Sequence, residues 1–376
     1  MTDTLNLTLE LIRCPSITPD DAGCMELIVA RLEPNGFAVE WLDSGDTRNL
    51  WLKHGDEGPL LVFLGHTDVV PSGPVERWQS PPFEPSIRDG MLYGRGAADM
   101  KSGVAAMTIA LERFVTQYPD HKGSVALLLT SDEEGDATHG VVKVMETFAA
   151  RGEKIDWCLV GEPSSTASTG DVIRVGRRGS LSATLRVCGV QGHVAYPDRA
   201  DNPIHRLAPV LAELCTETWD EGNHFFPPTS FQASNIHAGT GADNVIPGQL
   251  DLVFNFRYST AITETEIRQR VESMLDRHGI TYELEWRSSG GPFLTTQTTL
   301  IKATQDALRL IQGHTARLDT GGGTSDGRFV APTGAEVVEL GPLNASIHKI
   351  DECIAVEEPE TLASIYHQIM VNLLIE

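Results

Sequence analysis

LLVFLGHTDVVP, residues 60–71, sets how the rest of the chain is read. Residues 60–64 are five apolar side chains in a row, bounded by Gly58-Pro59 and Gly65. Such a run is the signature of a strand buried on both faces. His66, Thr67 and Asp68 follow at its C-terminal end. Residues i and i+2 of an extended chain point to one side, so His66 and Asp68 can share a target. In an open α/β sheet, ligands bind at the carboxyl ends of strands. An imidazole and a carboxylate placed there suit a divalent metal such as zinc. Taken alone, the same pair could be a histidine packed under a loop and an aspartate capping the turn before Pro71.

Three further segments repeat the arrangement. SVALLLT (124–130) is a second wholly apolar strand, followed at once by SDEEGD (131–136) with Asp132, Glu133, Glu134 and Asp136. Four carboxylates in six residues repel one another unless a cation or solvent intervenes. IDWCLVGEP (155–163) delivers Glu162, and AEVVELGPLNASIHKIDE (335–352) delivers His348. Helical patterns alternate with these strands at 3–14, 20–34, 102–117, 138–151, 297–312 and 357–374. Alternating segments at 37–42 and 49–55 add two strands. The expected fold is an α/β, doubly wound catalytic domain with its site along one sheet edge. Residues 71–90, rich in Pro and Gly, read as a long ordered loop. In MLYGRGAADMKSG (91–103), Gly94, Gly96 and Asp99 nearly match a dinucleotide-binding turn. Asp99 stands where the third glycine belongs and would repel a pyrophosphate, which excludes that cofactor. By residue type alone Asp99 could equally cap the helix that follows.

The middle of the chain has a different rhythm. Strands are expected at 180–189, 229–239, 248–259 and 280–286, with helices at 203–214 and 263–279. The second helix opens on a capping box, Thr263 to Glu266, and closes at Gly279. The order βαββαβ is that of a ferredoxin-like module. The expected division is a catalytic domain of residues 1–179 and 293–376, interrupted by an inserted α+β domain at 180–292.

Composition narrows the partners. The 376 residues carry a formal charge of −23, which argues against nucleic acid or an anionic membrane surface. Local arginines can still grip a small anionic substrate. No apolar run reaches the length of a membrane span, and the N-terminal segment lacks the basic start of a signal peptide. The six cysteines form no C-x-x-C pair, as expected for reduced thiols in a cytoplasmic protein.

His66, Asp68, Asp99, Glu133, Glu134, Glu162 and His348 thus form one hypothesis, a pair of metal ions sharing a carboxylate. Two ions about 3.5–4 Å apart can activate a hydroxide and polarise a carbonyl. The motifs GHTDVVP, YGRGAADMKSG, TSDEEGD and VGEP, with the late His348, resemble the dizinc aminoacylase and carboxypeptidase family that includes acetylornithine deacetylase. The resemblance implies a metal-dependent amide hydrolase holding two Zn²⁺ per subunit, with Co²⁺ able to substitute. It implies that Asp99 bridges, that His66 and Glu162 complete one site, and that Glu134 and His348 complete the other. Glu133 would be the general acid/base and Asp68 would orient His66. RRGSLS, QGHVAYP, GTGADNVIPG, TGGGTSDGRF and GPLNASIHKIDE resemble the branch that takes an N-succinyl diamino acid in lysine biosynthesis. That likeness makes His193 an oxyanion donor and the insertion a lid and homodimer interface. Arg177, Arg178 and Arg257 would grip substrate carboxylates, with Ser180, Asn244, Thr324 and Asn344 adding hydrogen bonds. A related N-acyl-amino-acid deacylase, or a non-catalytic metal-binding protein, are the alternatives. A free glutamate beside the metals speaks against the second.

Overall fold

The computed structural model describes residues 1–375, and the chain separates into two compact units. One comprises Met1–Gly176, Leu294–Asp319 and the chain from Ser325 onward; the other comprises Arg177–Phe293 and Thr320–Thr324.

The first unit is built on an eight-stranded mixed sheet. Its order is Ala38–Trp41, Asn49–His54, Ser124–Thr130, Leu60–His66, Trp157–Val160, Glu336–Glu339, Val172–Arg174 and Arg317–Asp319. The four strands from Ser124–Thr130 to Glu336–Glu339 run parallel, with Leu60 beside Ser124 and His66 beside Thr130. Parallel pairing brings Thr130, His66, Val160 and Glu339 to one edge, because all four strands end there. Every residue of Leu60–His66 and of Ser124–Thr130 is buried. Leu61, Phe63, Val125, Leu127 and Leu129 pack with helices Asp3–Ile12, Cys24–Leu32, Ser102–Gln117, Thr299–Gln312 and Glu358–Leu374. The alternate residues Val62, Leu64, Ala126 and Leu128 are buried on the opposite face. Helix Val141–Arg151 packs against the sheet through Phe148, which meets Trp51 edge-on at 4.8 Å. Burial on both faces accounts for strands that are apolar throughout rather than alternating. No helix among the described residues is long and apolar enough to cross a membrane.

Three details differ from expectation. His66 is the last residue of its strand, not the first beyond it. The second helix starts at Cys24, because Asp20 and Asp21 accept the backbone N–H groups of Ala22 and Gly23 in a turn. The 71–90 stretch is not all loop: Ser86–Arg88 pairs with Met91–Tyr93, which also pairs with Cys353–Ala355. Three-residue strands are too short to show a period.

The second unit has an antiparallel sheet ordered Ser230–Ala238, Gln249–Tyr258, Gly179–Cys188 and Tyr282–Gly290. Leu181, Leu185, Val187, Leu250, Leu252, Phe254 and Phe256 are buried in a core with Leu207, Val210 and Leu214 of helix Pro203–Thr216. Ile267, Val271, Met274 and Leu275 of helix Glu264–Arg277 join the same core. Thr263 and Glu266 form the capping box. The edge strand is exposed from Gln232 to Ala238.

Candidate metal centre

The parallel strand ends supply the site. His66 is buried, and its Nδ1 lies 2.8 Å from the carbonyl oxygen of Asp68. That contact turns Nε2 toward Asp99 Oδ1 and Glu162 Oε1, each 3.3 Å away. The other oxygen of Asp99, Oδ2, lies 3.3 Å from His348 Nε2, which is 3.0 Å from Glu134 Oε1. One carboxylate therefore stands between two sets of donors. The Asp68 carboxylate is 3.6 Å from His66 and accepts the backbone N–H groups of Glu133, at 3.4 Å, and Glu134, at 3.1 Å. It fixes the acidic turn as well as the imidazole. Of the four acids in 131–136, Asp132 turns away to accept the N–H of His139.

Asp99 is held by a residue that sequence reasoning did not single out. The buried Glu352 carboxylate accepts the N–H groups of Gly96, Ala98 and Asp99 at 2.8–3.1 Å, and Arg95 Nη1 at 2.7 Å. Gly96 has φ +81°, and a Cβ there would lie 2.7 Å from Val69, so the turn before Asp99 requires glycine. His348 also has a left-handed backbone, φ +59°, a sparsely used conformation for a side chain that must reach one point. A second missed residue is Asp326. It is buried, neither of its oxygens accepts a hydrogen bond from the described residues, and Arg328 Nη2 lies 3.7 Å from it.

The electrostatics are those of a site short of positive charge. Burial, and then the Glu162 carboxylate, hold the Glu133 carboxyl well above the ordinary range. Burial and Asp99 push Glu162 up to about 7, and burial pushes Asp326 up to about 6. Burial alone would lower the His66 pKa, but hydrogen bonds to Asp99 and Glu162 raise it well above normal. Hydrogen bonds to Asp99 and Glu134 raise His348 to about 10. Two groupings can hold an ion, His66–Glu133–Glu162 and His66–Asp99–Glu134, with ligand atoms within 4.8 Å of one another in each. The donor set of imidazole and several carboxylates fits divalent ions of the zinc class. Protons on both histidines partly offset the carboxylates in the metal-free chain. His348, at about 10, is protonated at pH 7 and the His66 pKa is raised in the same direction, whereas a metal needs both imidazoles neutral. Metal binding at pH 7 is therefore expected to release protons, and affinity to rise with pH. Titration calorimetry in buffers of different ionisation enthalpy measures this; heats independent of the buffer would contradict it.

The remaining residues named from the sequence fall mostly in the second unit. His193 is exposed and its Nδ1 accepts the N–H of Ala195 at 3.0 Å, so the ring proton resides on Nε2. His193 pairs with Val245, and the N–H of Val194 donates to the carbonyl of Asn244 at 3.1 Å, which sets His193 and Asn244 side by side. The Ser180 hydroxyl meets Asn255 Nδ2 at 3.1 Å, and across the strands Ser180 is paired with Arg257. Burial and the charge of Arg178 lower the Arg257 pKa. Neither arginine has an acidic partner among the described residues, so two like charges wait together. Arg177 is buried and donates to the carbonyls of Gly321, at 2.8 Å, and Gly323, at 3.3 Å. A Cβ on Gly322 would lie 2.6 Å from that guanidinium, so the glycine run wraps Arg177 and leads to Thr324. In the first unit, the N–H of Asn344 donates to the carbonyl of Ser165.

Residues 62–372 match the sequence profile of peptidase family M20/M25/M40, and the chain belongs to this family. Two curated relatives are named succinyl-diaminopimelate desuccinylase. That of Methylococcus capsulatus is 67% identical over 374 residues, covering 100% of this chain and 99% of its own. That of Thioalkalivibrio sulfidiphilus is 62% identical over 376 residues, covering 100% of both. The fold is shared with an M20 family metallo-carboxypeptidase of Sulfolobus solfataricus, TM-score 0.82, 17% identity and 99% of each chain. It is shared also with the Bacillus subtilis YXEP protein, described as a dinuclear metal binding peptidase of the M20 family, TM-score 0.74 and 15% identity, over 99% of this chain and 98% of that one.

Proposed function

We propose that the chain hydrolyses N-succinyl-L,L-2,6-diaminopimelate to succinate and L,L-2,6-diaminopimelate, with two zinc ions per subunit. The observation that carries the reading is Asp99, with one carboxylate oxygen toward His66 and the other toward His348. His66 and Glu162 would hold one ion, Glu134 and His348 the other, and Asp99 both; cobalt suits the same donors. The ions supply an activated water and a polarised carbonyl when bound. Glu133 lies beside them with a carboxyl whose proton affinity is raised. It accepts the proton of the attacking water and delivers it to the departing amine nitrogen. Arg178 and Arg257, without an acidic partner among the described residues, suit substrate carboxylates, and Arg177 acts by shaping the loop that carries Thr324. Ser180, Asn244 and Asn344 add neutral hydrogen-bonding groups. The relatives' shared name supports the succinyl compound among the N-acyl amino acids of the family, and a step of lysine synthesis supports a cytoplasmic enzyme. Comparison of kcat/KM for N-succinyl-L,L-diaminopimelate and N-acetylornithine tests this. A preference for the acetyl compound would move the chain to another deacylase branch.

We infer further that the enzyme is a homodimer in which His193 of the partner subunit donates to the oxyanion. Its Nε2–H tautomer makes it a donor, and the exposed strand Ser230–Ala238 offers unpaired backbone for association. A His193→Ala chain and a Glu133→Ala chain are each expected to be nearly inactive as homodimers. After subunit exchange, half the dimers are hybrids with one intact site of two, and about a quarter of wild-type activity should return. Activity that stays at the homodimer level after confirmed exchange would show that His193 does not act across subunits.

A further inference from the structure

Arg95 opens the turn that carries Asp99, and only 2% of it is exposed. A guanidinium so placed needs fixed acceptors, because burying a charge without them is costly. Its acceptors come from separate segments. Nη1 donates to Glu352 Oε2 at 2.7 Å and to the carbonyl of Lys349 at 3.2 Å. Nη2 donates to the carbonyl of Pro71 at 3.4 Å. The Trp78 ring lies with its centroid 5.1 Å from the guanidinium carbon, and its Nε1 donates to the carbonyl of Ser72 at 2.9 Å. Pro71 ends the stretch that carries His66 and Asp68, Lys349 follows His348, and Glu352 accepts the N–H of Asp99. One side chain thus grips the backbone beside several parts of the metal centre.

The two donor sets depend on that grip unequally. His66 ends a buried strand that is paired on both sides, and its ring is fixed by the carbonyl of Asp68. His348 has no such frame. It lies in an irregular segment between strands Glu336–Glu339 and Cys353–Ala355, with left-handed backbone at His348, φ +59°, and again at Asp351, φ +58°. Such conformations persist only where the surroundings hold them. Ser346 Oγ donates to the carbonyl of Cys353 at 2.7 Å and accepts its N–H at 3.0 Å. Asp351 accepts the N–H of Gln79 at 2.9 Å, and the N–H of Lys349 donates to the carbonyl of Ser346 at 3.2 Å. The bond from Arg95 to the Lys349 carbonyl differs from these in tying the residue after His348 to the turn that carries Asp99.

We propose that Arg95 is a positioning residue for one of the two metal sites. By holding Lys349 and Glu352 with one fork it sets His348 against Asp99, and with it the affinity of the ion that Glu134 and His348 would hold. The inference rests on the two-ion reading of the centre. A lysine in place of Arg95 keeps the positive charge beside Glu352. An ammonium on a flexible stem has no planar fork to reach Glu352, Lys349 and Pro71 together. The His66–Glu162 side keeps its strand and its bond to Asp68 whatever stands at position 95.

The test has two readouts on the full-length chain: stepwise zinc binding to the metal-stripped protein against a calibrated chelator, and amide hydrogen exchange of the same protein without metal. In Arg95→Lys the second ion is expected to bind about 10–100-fold more weakly, the effect of losing an outer partner of a ligand, while the first binds as in wild type. Glu134→Gln, which removes a ligand from the same side, should show the same pattern more strongly. Amides of residues 344–353 should exchange faster in Arg95→Lys, and those of 60–66 at the wild-type rate. Ser346→Ala releases another pin of the same segment and strands no buried charge; it too should weaken the second ion and spare the first. Equal loss of both ions in Arg95→Lys and Ser346→Ala, or wild-type zinc constants and wild-type exchange at 344–353 in Arg95→Lys, would overturn the proposal. Uptake of fewer than two ions by the wild-type chain would overturn the two-ion reading itself, and the proposal with it.

Discussion

Glu133→Gln is expected to lower kcat by about 10²–10⁴-fold while bound zinc stays at the wild-type level. The substitution keeps the shape of the side chain and the backbone N–H that Asp68 accepts, so the acidic turn retains its anchor. What it removes is the carboxyl whose proton affinity is raised by burial and by Glu162. A glutamine cannot carry a proton from water to nitrogen. Glu134→Gln, one residue on, should act differently, since Glu134 faces His348 at 3.0 Å and its loss removes a ligand. Turnover of Glu133→Gln within ten-fold of wild type, at full metal content, would show that another group moves the proton.

Asp99→Ala is expected to abolish turnover and weaken the binding of both metals by about 100-fold or more, beyond the 10–100-fold typical of outer partners. Asp99 is the side chain that meets both His66 and His348, and its own pKa is held below the usual carboxylate range despite burial because both imidazoles contact it. Removing it leaves two donor sets with no shared member. Glu352→Gln offers the graded comparison. Glu352 gathers three backbone N–H groups, that of Asp99 among them, so a loss of about 10–100-fold in metal affinity is expected. Metal content after dialysis against a calibrated chelator reads both. Two tightly held ions in Asp99→Ala would refute the bridging role.

The parts of this architecture legible in the sequence are those written locally. Residues 60–64 and 125–129 are apolar throughout because helices cover both faces of their sheet, and the side chains that end such strands converge because the strands are parallel. The alternation in 180–189 and 248–259 likewise marks a sheet with one covered face. Glu352 and Asp326 carry no such signature. Each is a single acid in a chain with 52 acidic residues, and its role arises only when distant segments meet. Arg177 is a related case. From the sequence it reads as one of three arginines free to hold a carboxylate, but folding wraps it in the glycine run 321–323. The glycines announced a close approach; what approaches them came from a residue about 145 positions away.

The measurement that tests the account most directly is turnover of N-succinyl-L,L-diaminopimelate by the metal-stripped chain as zinc is returned. The account predicts no turnover without metal, recovery as zinc binds, and saturation of binding at two ions per chain. A stripped chain that still hydrolyses the substrate, or full activity from zinc that remains bound in Asp99→Ala, would contradict it.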